Sequence, residues 1–121
     1  SKKKKINLFY QNFFSKKKNM KMLTIKTAQE QNNWLNIIKF ENISYKNFKK
    51  NINILISKGI DVRPLWYPCH KQLFLKKYET YKIELSNKVY KNHLCLPSSY
   101  FLKKNQLQLI SQKILNVFKQ K

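Results

Sequence analysis

The chain has 121 residues and carries 26 Lys and Arg against 5 Asp and Glu, which gives a formal net charge of +21. This length fits one domain that can bury a core, and it is too small for a typical two-domain enzyme. Hydrophobic residues make up 42% of the chain and aromatic residues 14%, which is too much apolar material for a disordered tail. The sequence contains no run of about 18 apolar residues, which excludes a membrane-spanning helix, and no signal-peptide pattern follows its N-terminal lysines.

The positive charge admits two interpretations. Clustered basic residues are typical of nucleic-acid binding, but 25 of the 26 are lysine, and Arg63 is the only residue of the type suited to bidentate phosphate and base contacts. The lysines are spread over the whole chain, and Lys, Asn and Ile, which all have A/T-rich codons, account for 51 of the 121 residues. We therefore favour a base-composition bias at surface positions and keep a polyanion-binding surface as the alternative.

The two cysteines, Cys69 and Cys95, lie far apart and form no CxxC pair. This argues against a disulfide framework and favours a reducing, cytoplasmic setting. Each cysteine has a histidine close by in the sequence, His70 or His93, but the spacing matches no standard zinc pattern. We expect Cys95 to be a small apolar residue in a strand and Cys69 to lie in a loop.

The first third of the chain predicts one helix and two strands. Residues 2–18 carry apolar residues at the spacing of one helix face, namely Ile6, Leu8, Phe9, Phe13 and Phe14. Residues 21–27 alternate and are β-branched, which predicts a short strand. Residues 33–40 are strongly apolar and predict a second strand, central in its sheet.

A second helix is predicted over residues 45–58. Ser44 is a suitable N-cap, and the apolar residues that follow it recur at i, i+4, i+7 and i+8. These residues are Phe48, Ile52, Leu55 and Ile56. Gly59, the only glycine, is expected to adopt the left-handed conformation that ends the helix.

The rest of the chain predicts a strand over residues 60–66, a loop over 67–70, a short helix over 84–91, a brief strand over 94–97 and a terminal helix over 105–119. This order predicts an α+β domain with a mostly antiparallel sheet covered by helices.

Three sequence blocks carry a resemblance to a known family. Residues 59–72 read Gly-Ile-Asp-Val-Arg-Pro-Leu-Trp-Tyr-Pro-Cys-His-Lys-Gln, residues 32–36 read Asn-Asn-Trp-Leu-Asn, and residues 92–98 read Asn-His-Leu-Cys-Leu-Pro-Ser. Together they resemble the C-terminal domain of the DegT/DnrJ/StrS family of PLP-dependent nucleotide-sugar aminotransferases. The resemblance covers about residues 5–120, and His93 stands where the family usually has Gly.

The resemblance implies a division of the chain. Residues 1–18 would be the tail of a linking helix, and residues 19–121 the small C-terminal domain of a fold-type I PLP aminotransferase. The large domain that binds pyridoxal phosphate through its lysine has no counterpart here, so we expect no catalytic, cofactor-binding or metal-binding residue and an inactive isolated chain. For the full enzyme the resemblance implies a homodimer with its active site at the interface.

The resemblance also implies the reaction, which is transfer of an amino group, with glutamate as donor, to a keto sugar nucleotide. The product would serve amino-sugar or surface-polysaccharide biosynthesis. Two alternatives remain open. One is a small basic nucleic-acid-binding domain that stacks bases on aromatic residues such as Tyr10, Phe13, Tyr45 and Tyr100. The other is a non-catalytic remnant that associates with a full-length paralogue.

Four residues are candidates for substrate binding. The planar guanidinium of Arg63 can hold a carboxylate or phosphate through paired charge-assisted hydrogen bonds. The resemblance places His70 near the active site as a hydrogen-bonding group, while Asn33 is a candidate for orienting substrate and Trp66 for contacting it. Structural alternatives are an Arg63 stem that covers Trp66, a His70 bonded to backbone, and a Trp66 in the core or an interface.

Overall fold

The computed structural model describes residues 1–24 and 31–119. Within these ranges it has an α+β fold, which confirms the predicted class. In chain order the helices and strands are α1 (Lys2–Phe14), β1 (Met20–Met22), β2 (Asn36–Phe40), α2 (Tyr45–Ser57), β3 (Arg63–Pro64), α3 (Glu84–Val89), β4 (His93–Leu96) and α4 (Lys104–Lys119). Two short 3-10 turns, Cys69–Lys71 and Leu73–Leu75, lie between β3 and α3.

The four strands form one sheet in the order β1-β2-β4-β3, and every neighbouring pair is antiparallel. β2 is therefore a central strand, as its apolar sequence predicts. Because β4 runs opposite to its two neighbours, β2 and β3 begin at the end of the sheet where β4 ends. This end, next to Ser98, is called the Ser98 end below.

The strand register separates the two faces of the sheet. Ile37 and Arg63 both lie opposite Cys95, so these three side chains share one face. The neighbouring row pairs Asn36 with Leu96 and faces the other way, because successive residues of a strand point to opposite faces. The face that carries Arg63 is called the open face below.

The apolar core lies on the face opposite the open face, under α1, α2 and α4. Core residues come from these three helices and from β1, β2 and β4, and Ile60 and Val62 join them from the segment before β3. The rings of Phe40 and Phe118 stack with centroids 3.7 Å apart, which joins the end of β2 to the end of α4.

Helix α1 enters this core through Ile6, Tyr10 and Phe14, which are spaced four residues apart. The prediction that Leu8 shares this face is wrong, because its side chain is 46% exposed. Leu8 lies two residues beyond Ile6, about 200° further round the helix. Tyr10, which the sequence pattern did not assign to the buried face of α1, is fully buried.

Helix α2 has both of its predicted ends. The Ser44 side chain accepts a hydrogen bond from Asn47 N at 3.2 Å. Gly59 has φ +76°, and Ile60 N donates to Leu55 O at 3.0 Å, which is the pattern of a Schellman motif. The helix buries Phe48, Ile52 and Leu55, but Ile56 is exposed, contrary to the prediction.

Three strands are shorter than the sequence predicts. β1 ends at Met22, and residues 25–27 of its predicted span lie outside the described residues. β2 begins at Asn36, since Asn33 has φ +51°, a left-handed conformation that a strand does not accommodate. β3 is an edge strand of two residues, a place in a sheet where Pro64, which has no N–H, is tolerated.

Helix α3 ends at Val89, two residues before its predicted end, whereas β4 and α4 each begin one residue earlier than predicted. Such differences of one or two residues at the ends of elements leave the predicted order of helices and strands intact.

Substitution of Gly59 by Ala tests the left-handed end of α2. A Cβ built on Gly59 meets no atom within 4 Å, so the cost comes from backbone strain alone. We expect Gly59→Ala to lower the free energy of unfolding by about 1 kcal/mol in urea denaturation. Gly59→Asn is the matched control and should cost less, because Asn tolerates this conformation. Equal stability of the Ala variant and the wild type would contradict this explanation.

Candidate functional site

The four predicted substrate-binding residues lie in two places. Arg63 is the first residue of β3 and Asn33 lies three residues before β2, so both belong to the Ser98 end of the sheet. Trp66 and His70 follow β3 towards its opposite end, where Leu65 N donates to His93 O. The hydrogen bonds and ion pairs described for residues 1–24 and 31–119 join no two of the four. The chain by itself therefore does not enclose them in one pocket.

Arg63 lies on the edge strand with an accessible guanidinium. Its Nη2 is 2.9 Å from Asp61 Oδ1, and the two side chains are 72% and 77% exposed. Val62 N donates to Ile60 O at 2.9 Å, which closes a tight turn at Asp61 directly before β3, so the ion pair is a local one. An ion pair this exposed is worth at most about 1 kcal/mol, so an incoming anion can replace Asp61 at little cost.

His70 lies in the first 3-10 turn and is held from α3. Its Nε2 is 2.9 Å from Asn87 Oδ1, and it donates in the tautomer that carries the proton there. The neighbouring Lys71 Nζ donates to Tyr90 Oη at 3.4 Å and lies 5.2 Å from the centre of that ring. Two consecutive side chains thus tie the turn to the residues around α3. The structural alternative for His70 was a hydrogen bond to a backbone group. Its described partner is instead the side chain of Asn87.

Asn33 and Trp34 form a turn before β2. Asn33 Nδ2 donates to Gln31 O at 2.9 Å, and Asn32 Oδ1 accepts a hydrogen bond from Trp34 N at 3.0 Å. The amide of Asn33 therefore stabilises the turn itself. Trp34 is 64% exposed, as is Trp66, so both indole rings are available for contact.

Asn36, which the sequence analysis did not single out, organises the Ser98 end. It is fully buried, and both ends of its amide are satisfied. Oδ1 accepts from Asn7 Nδ2 at 2.8 Å, and Nδ2 donates to Ser98 Oγ at 2.8 Å. A polar residue at a core-facing position of an otherwise apolar strand is the signal that could have identified it.

Tyr10 adds a second link from α1 to the Ser98 end. Its hydroxyl donates to Pro97 O at 2.8 Å, and burial raises the pKa of this phenol far above its usual range. Lys3 Nζ also donates to Ser98 O. Tyr10 is buried, so the expectation that its ring could stack on a base is wrong, and Phe13 is half-buried against the core. Tyr45 and Tyr100, the other two rings of that expectation, are exposed.

His93 and Cys95 lie in β4 and are both buried. His93 Nδ1 lies 2.8 Å from Val89 O, and this carbonyl can only accept, so Nδ1 carries a proton. Burial is the main effect and lowers the pKa of His93. The hydrogen bond to Val89 raises this pKa by less, and the charge of Lys39 adds a still smaller lowering. Burial also raises the pKa of the Cys95 thiol, while Cys69 is exposed.

The described part of the chain contains neither a metal-binding cluster nor a membrane-spanning helix. No three His, Cys, Asp or Glu side chains come together there in a way that could hold a metal ion. Among the helices described, none has the length and apolar character needed to cross a membrane.

Comparison with known proteins assigns the family. Residues 1–115 match the sequence model of the DegT/DnrJ/EryC1/StrS aminotransferase family. The chain belongs to this family. It matches none of the curated protein sequences with which it was compared, so the assignment comes from the family model and is accompanied by a likeness of fold to solved aminotransferases.

Three solved structures illustrate that likeness. Helicobacter pylori PseC, an aminotransferase of pseudoaminic acid biosynthesis, has a TM-score of 0.87 and 18% identity, over 98% of this chain and 32% of its own. The sugar aminotransferase Spr1654 of Streptococcus pneumoniae in its PLP form has a TM-score of 0.80 and 20% identity. The match covers 98% of this chain and 31% of Spr1654. DesI with its TDP-sugar product has a TM-score of 0.84 and 10% identity, and the match covers 98% of this chain and 31% of DesI. The chain thus spans about one third of the length of these enzymes.

The residues of this chain do not fit the anchoring site of pyridoxal phosphate. A lysine that forms a Schiff base needs a depressed pKa, which comes from burial or a cationic neighbour in a dry site. Every lysine that the structure describes is exposed or half-buried. The only glycine, Gly59, ends a helix and is not part of a phosphate-binding loop. The described residues of this chain therefore offer no attachment point for the cofactor.

The pKa of His93 predicts how stability depends on pH. The folded-state pKa lies below the ordinary value of 6.5, so the unfolded chain binds a proton more readily than the folded one. The contribution of His93 to the free energy of unfolding is therefore fully present above pH 6.5 and decreases as the pH falls below that value. In urea denaturation between pH 7.5 and 5, His93→Gln should show a flatter pH dependence than the wild type. The contrary result is an unchanged pH dependence in this variant.

Proposed function

We propose that the chain is the C-terminal portion of a PLP-dependent aminotransferase that transfers an amino group from glutamate to a keto sugar nucleotide. The product would enter amino-sugar or surface-polysaccharide biosynthesis in the cytoplasm. The observation that carries the proposal is the family match over residues 1–115. The TDP-sugar product in the DesI structure supports a sugar nucleotide as the substrate class.

The open face suits an anionic substrate. Lys21 and Lys39 lie opposite each other on β1 and β2, and both reach Glu41 Oε1, at 3.1 and 3.2 Å. These two contacts hold the pKa of Glu41 below its usual range. Together with Arg63 and Asp61, these described residues amount to three cations and two anions. A donor carboxylate or a sugar-nucleotide phosphate would therefore be attracted to the open face, and Arg63 would bind it through its guanidinium.

The other three candidates would act on the rest of the substrate. Asn87 holds Nε2 of His70, which leaves Nδ1 free of any described hydrogen bond and able to contact a substrate hydroxyl. Trp66 offers an exposed ring that can pack against a sugar or a base, and Asn33 would orient the substrate at the Ser98 end. Since the four residues lie at two ends of the sheet, a closed cleft requires surfaces from outside this chain.

Those surfaces would come from the large domain, which would bind pyridoxal phosphate and supply the chemistry of amino transfer. In the full enzyme two subunits would form a homodimer with the active site at their interface. The role of the present chain would be to bind substrate and to complete the cleft.

A hybrid enzyme tests the role of Arg63. In this hybrid the chain replaces the third of H. pylori PseC with which it aligns. Arg63→Lys keeps the charge but loses the bidentate geometry, so we expect KM for the anionic substrate to rise about tenfold, with a smaller change in kcat. Asp61→Asn is the matched control, because it removes the ion pair and keeps the guanidinium, and its KM should not rise.

Two results would contradict the proposed function. One is a folded, PLP-bound hybrid that transfers no amino group. The other is a stoichiometric internal-aldimine absorbance band when the isolated chain is mixed with PLP, abolished by substitution of one of its own lysines.

A further inference from the structure

An open cavity lies between α2 and α4, at the end of the sheet opposite the Ser98 end. Its volume is about 580 Å³, which is within the range of small-molecule pockets, roughly 300 to 1,000 Å³. Its walls come from the connection between α1 and β1, the turn after β2, one side of α2 and the end of α4. None of the four candidate substrate-binding residues is among its described lining, so it is a second place on the domain.

The floor of the cavity is apolar. Ile43, Ile54 and Phe118 line it and are partly buried against the core. The ring of Phe118 also stacks on the buried ring of Phe40, which keeps it in place. A flat apolar group can therefore pack on Ile54 and Phe118 without disturbing the core.

Two asparagines join the turns that form one wall of the cavity. Asn19 precedes β1 with φ +62°, and Asn42 follows β2 with φ +56°. Asn42 Nδ2 donates to Asn19 Oδ1 at 3.2 Å, and Glu41 N donates to Asn19 O at 2.9 Å. These bonds hold the wall in a fixed shape, so a ligand binds to it without first ordering a loop.

Helix α2 adds a row of polar groups. Four of its residues line the cavity at the spacing i, i+3, i+4 and i+7 of one helix face, namely Asn47, Lys50, Asn51 and Ile54. Within residues 1–24 and 31–119, the side-chain amides of Asn47 and Asn51 have no described hydrogen bond. Each amide offers donors and an acceptor, which is what the polar edge of a heterocyclic base requires.

Three lysines from different elements surround the cavity. Lys18 precedes β1, Lys50 lies on α2 and Lys119 ends α4. Their ammonium groups have no partner among the hydrogen bonds and ion pairs of the described residues. The one acidic residue of the described lining, Glu41, is already paired with two lysines of the sheet. The excess of positive charge around the cavity attracts an anion that carries more than one charge.

We propose that this cavity is a binding site for a nucleoside polyphosphate. The base packs on Ile54 and Phe118 and forms hydrogen bonds with Asn51, while the three lysines hold the phosphates. A phosphate chain without a nucleoside satisfies the lysines but leaves the apolar floor and the amides without a partner. The inference goes beyond the proposed function, because it concerns a site apart from the residues that are candidates for binding the substrate.

The role of the lysines is tested by calorimetric titration of the chain with ADP at physiological ionic strength, which screens distant surface charges. The cavity variant loses the three cations that surround the site, through Lys18→Gln, Lys50→Gln and Lys119→Gln. The matched control loses the same charge from three exposed positions outside the cavity, through Lys5→Gln, Lys88→Gln and Lys104→Gln. We expect affinity for ADP to fall about tenfold in the cavity variant and less than about twofold in the control.

The role of the nucleoside is tested with pyrophosphate, which has the phosphate chain of ADP alone. We expect pyrophosphate to bind to the chain about tenfold more weakly than ADP. Asn51→Ala should weaken the binding of ADP about fivefold and leave that of pyrophosphate unchanged. In amide NMR spectra of the wild type, ADP should shift the signals of residues 18–20, 41–43 and 47–54 most strongly.

Four results would overturn the proposal. One is a wild type that shows no saturable binding of ADP, and another is an equal loss of ADP affinity in both triple variants, which indicates attraction to net charge alone. The third is pyrophosphate that binds as tightly as ADP. The fourth comes from the wild type and needs no variant to fold, namely ADP-induced shifts that are spread over the chain or centred outside the cavity.

Discussion

The buried amide of Asn36 is the constraint on which the arrangement of this domain depends. A side-chain amide with no exposed surface must form its hydrogen bonds inside the protein, because leaving them unmade costs several kcal/mol in an apolar environment, about 2 to 7 by transfer measurements. Asn36 meets this requirement only when Asn7 of α1 and Ser98 after β4 are both in place. One residue thus fixes a helix, a central strand and the turn after another strand relative to each other.

The same register determines what each face of the sheet can do. Because Asn36 points towards α1, its neighbour Ile37 points to the open face, in the row that contains Cys95 and Arg63. The helix-covered face holds the apolar core, and the open face carries cations in excess. Under the proposed function, this division would place the excess of cations where an anionic substrate can bind.

Sequence patterns predict the elements whose signals are local. Helix α2 has an N-cap, an apolar stripe and a glycine end within sixteen residues. The structure reproduces both ends and buries three of the four predicted stripe residues, all but Ile56. Tyr10 and Asn36 were missed because their burial depends on partners that are distant in sequence, Pro97 and Ser98. Residue type alone makes Arg63 a candidate, and its ion pair with Asp61 is local in sequence. Its position opposite Cys95 on the open face follows from the sheet register, which no local pattern encodes.

Native-state hydrogen exchange of the isolated chain tests most directly whether α1 and the sheet are one unit held by Asn36. The amides of residues 6–14 should open with the same free energy as those of β4, and Asn36→Leu should lower both by a similar amount, about 1 to 3 kcal/mol. The contrary result is a helix α1 that opens at a much lower free energy than β4 and is insensitive to the substitution. In that case α1 would be a linker resting on the domain, and the Ser98 end would owe nothing to it.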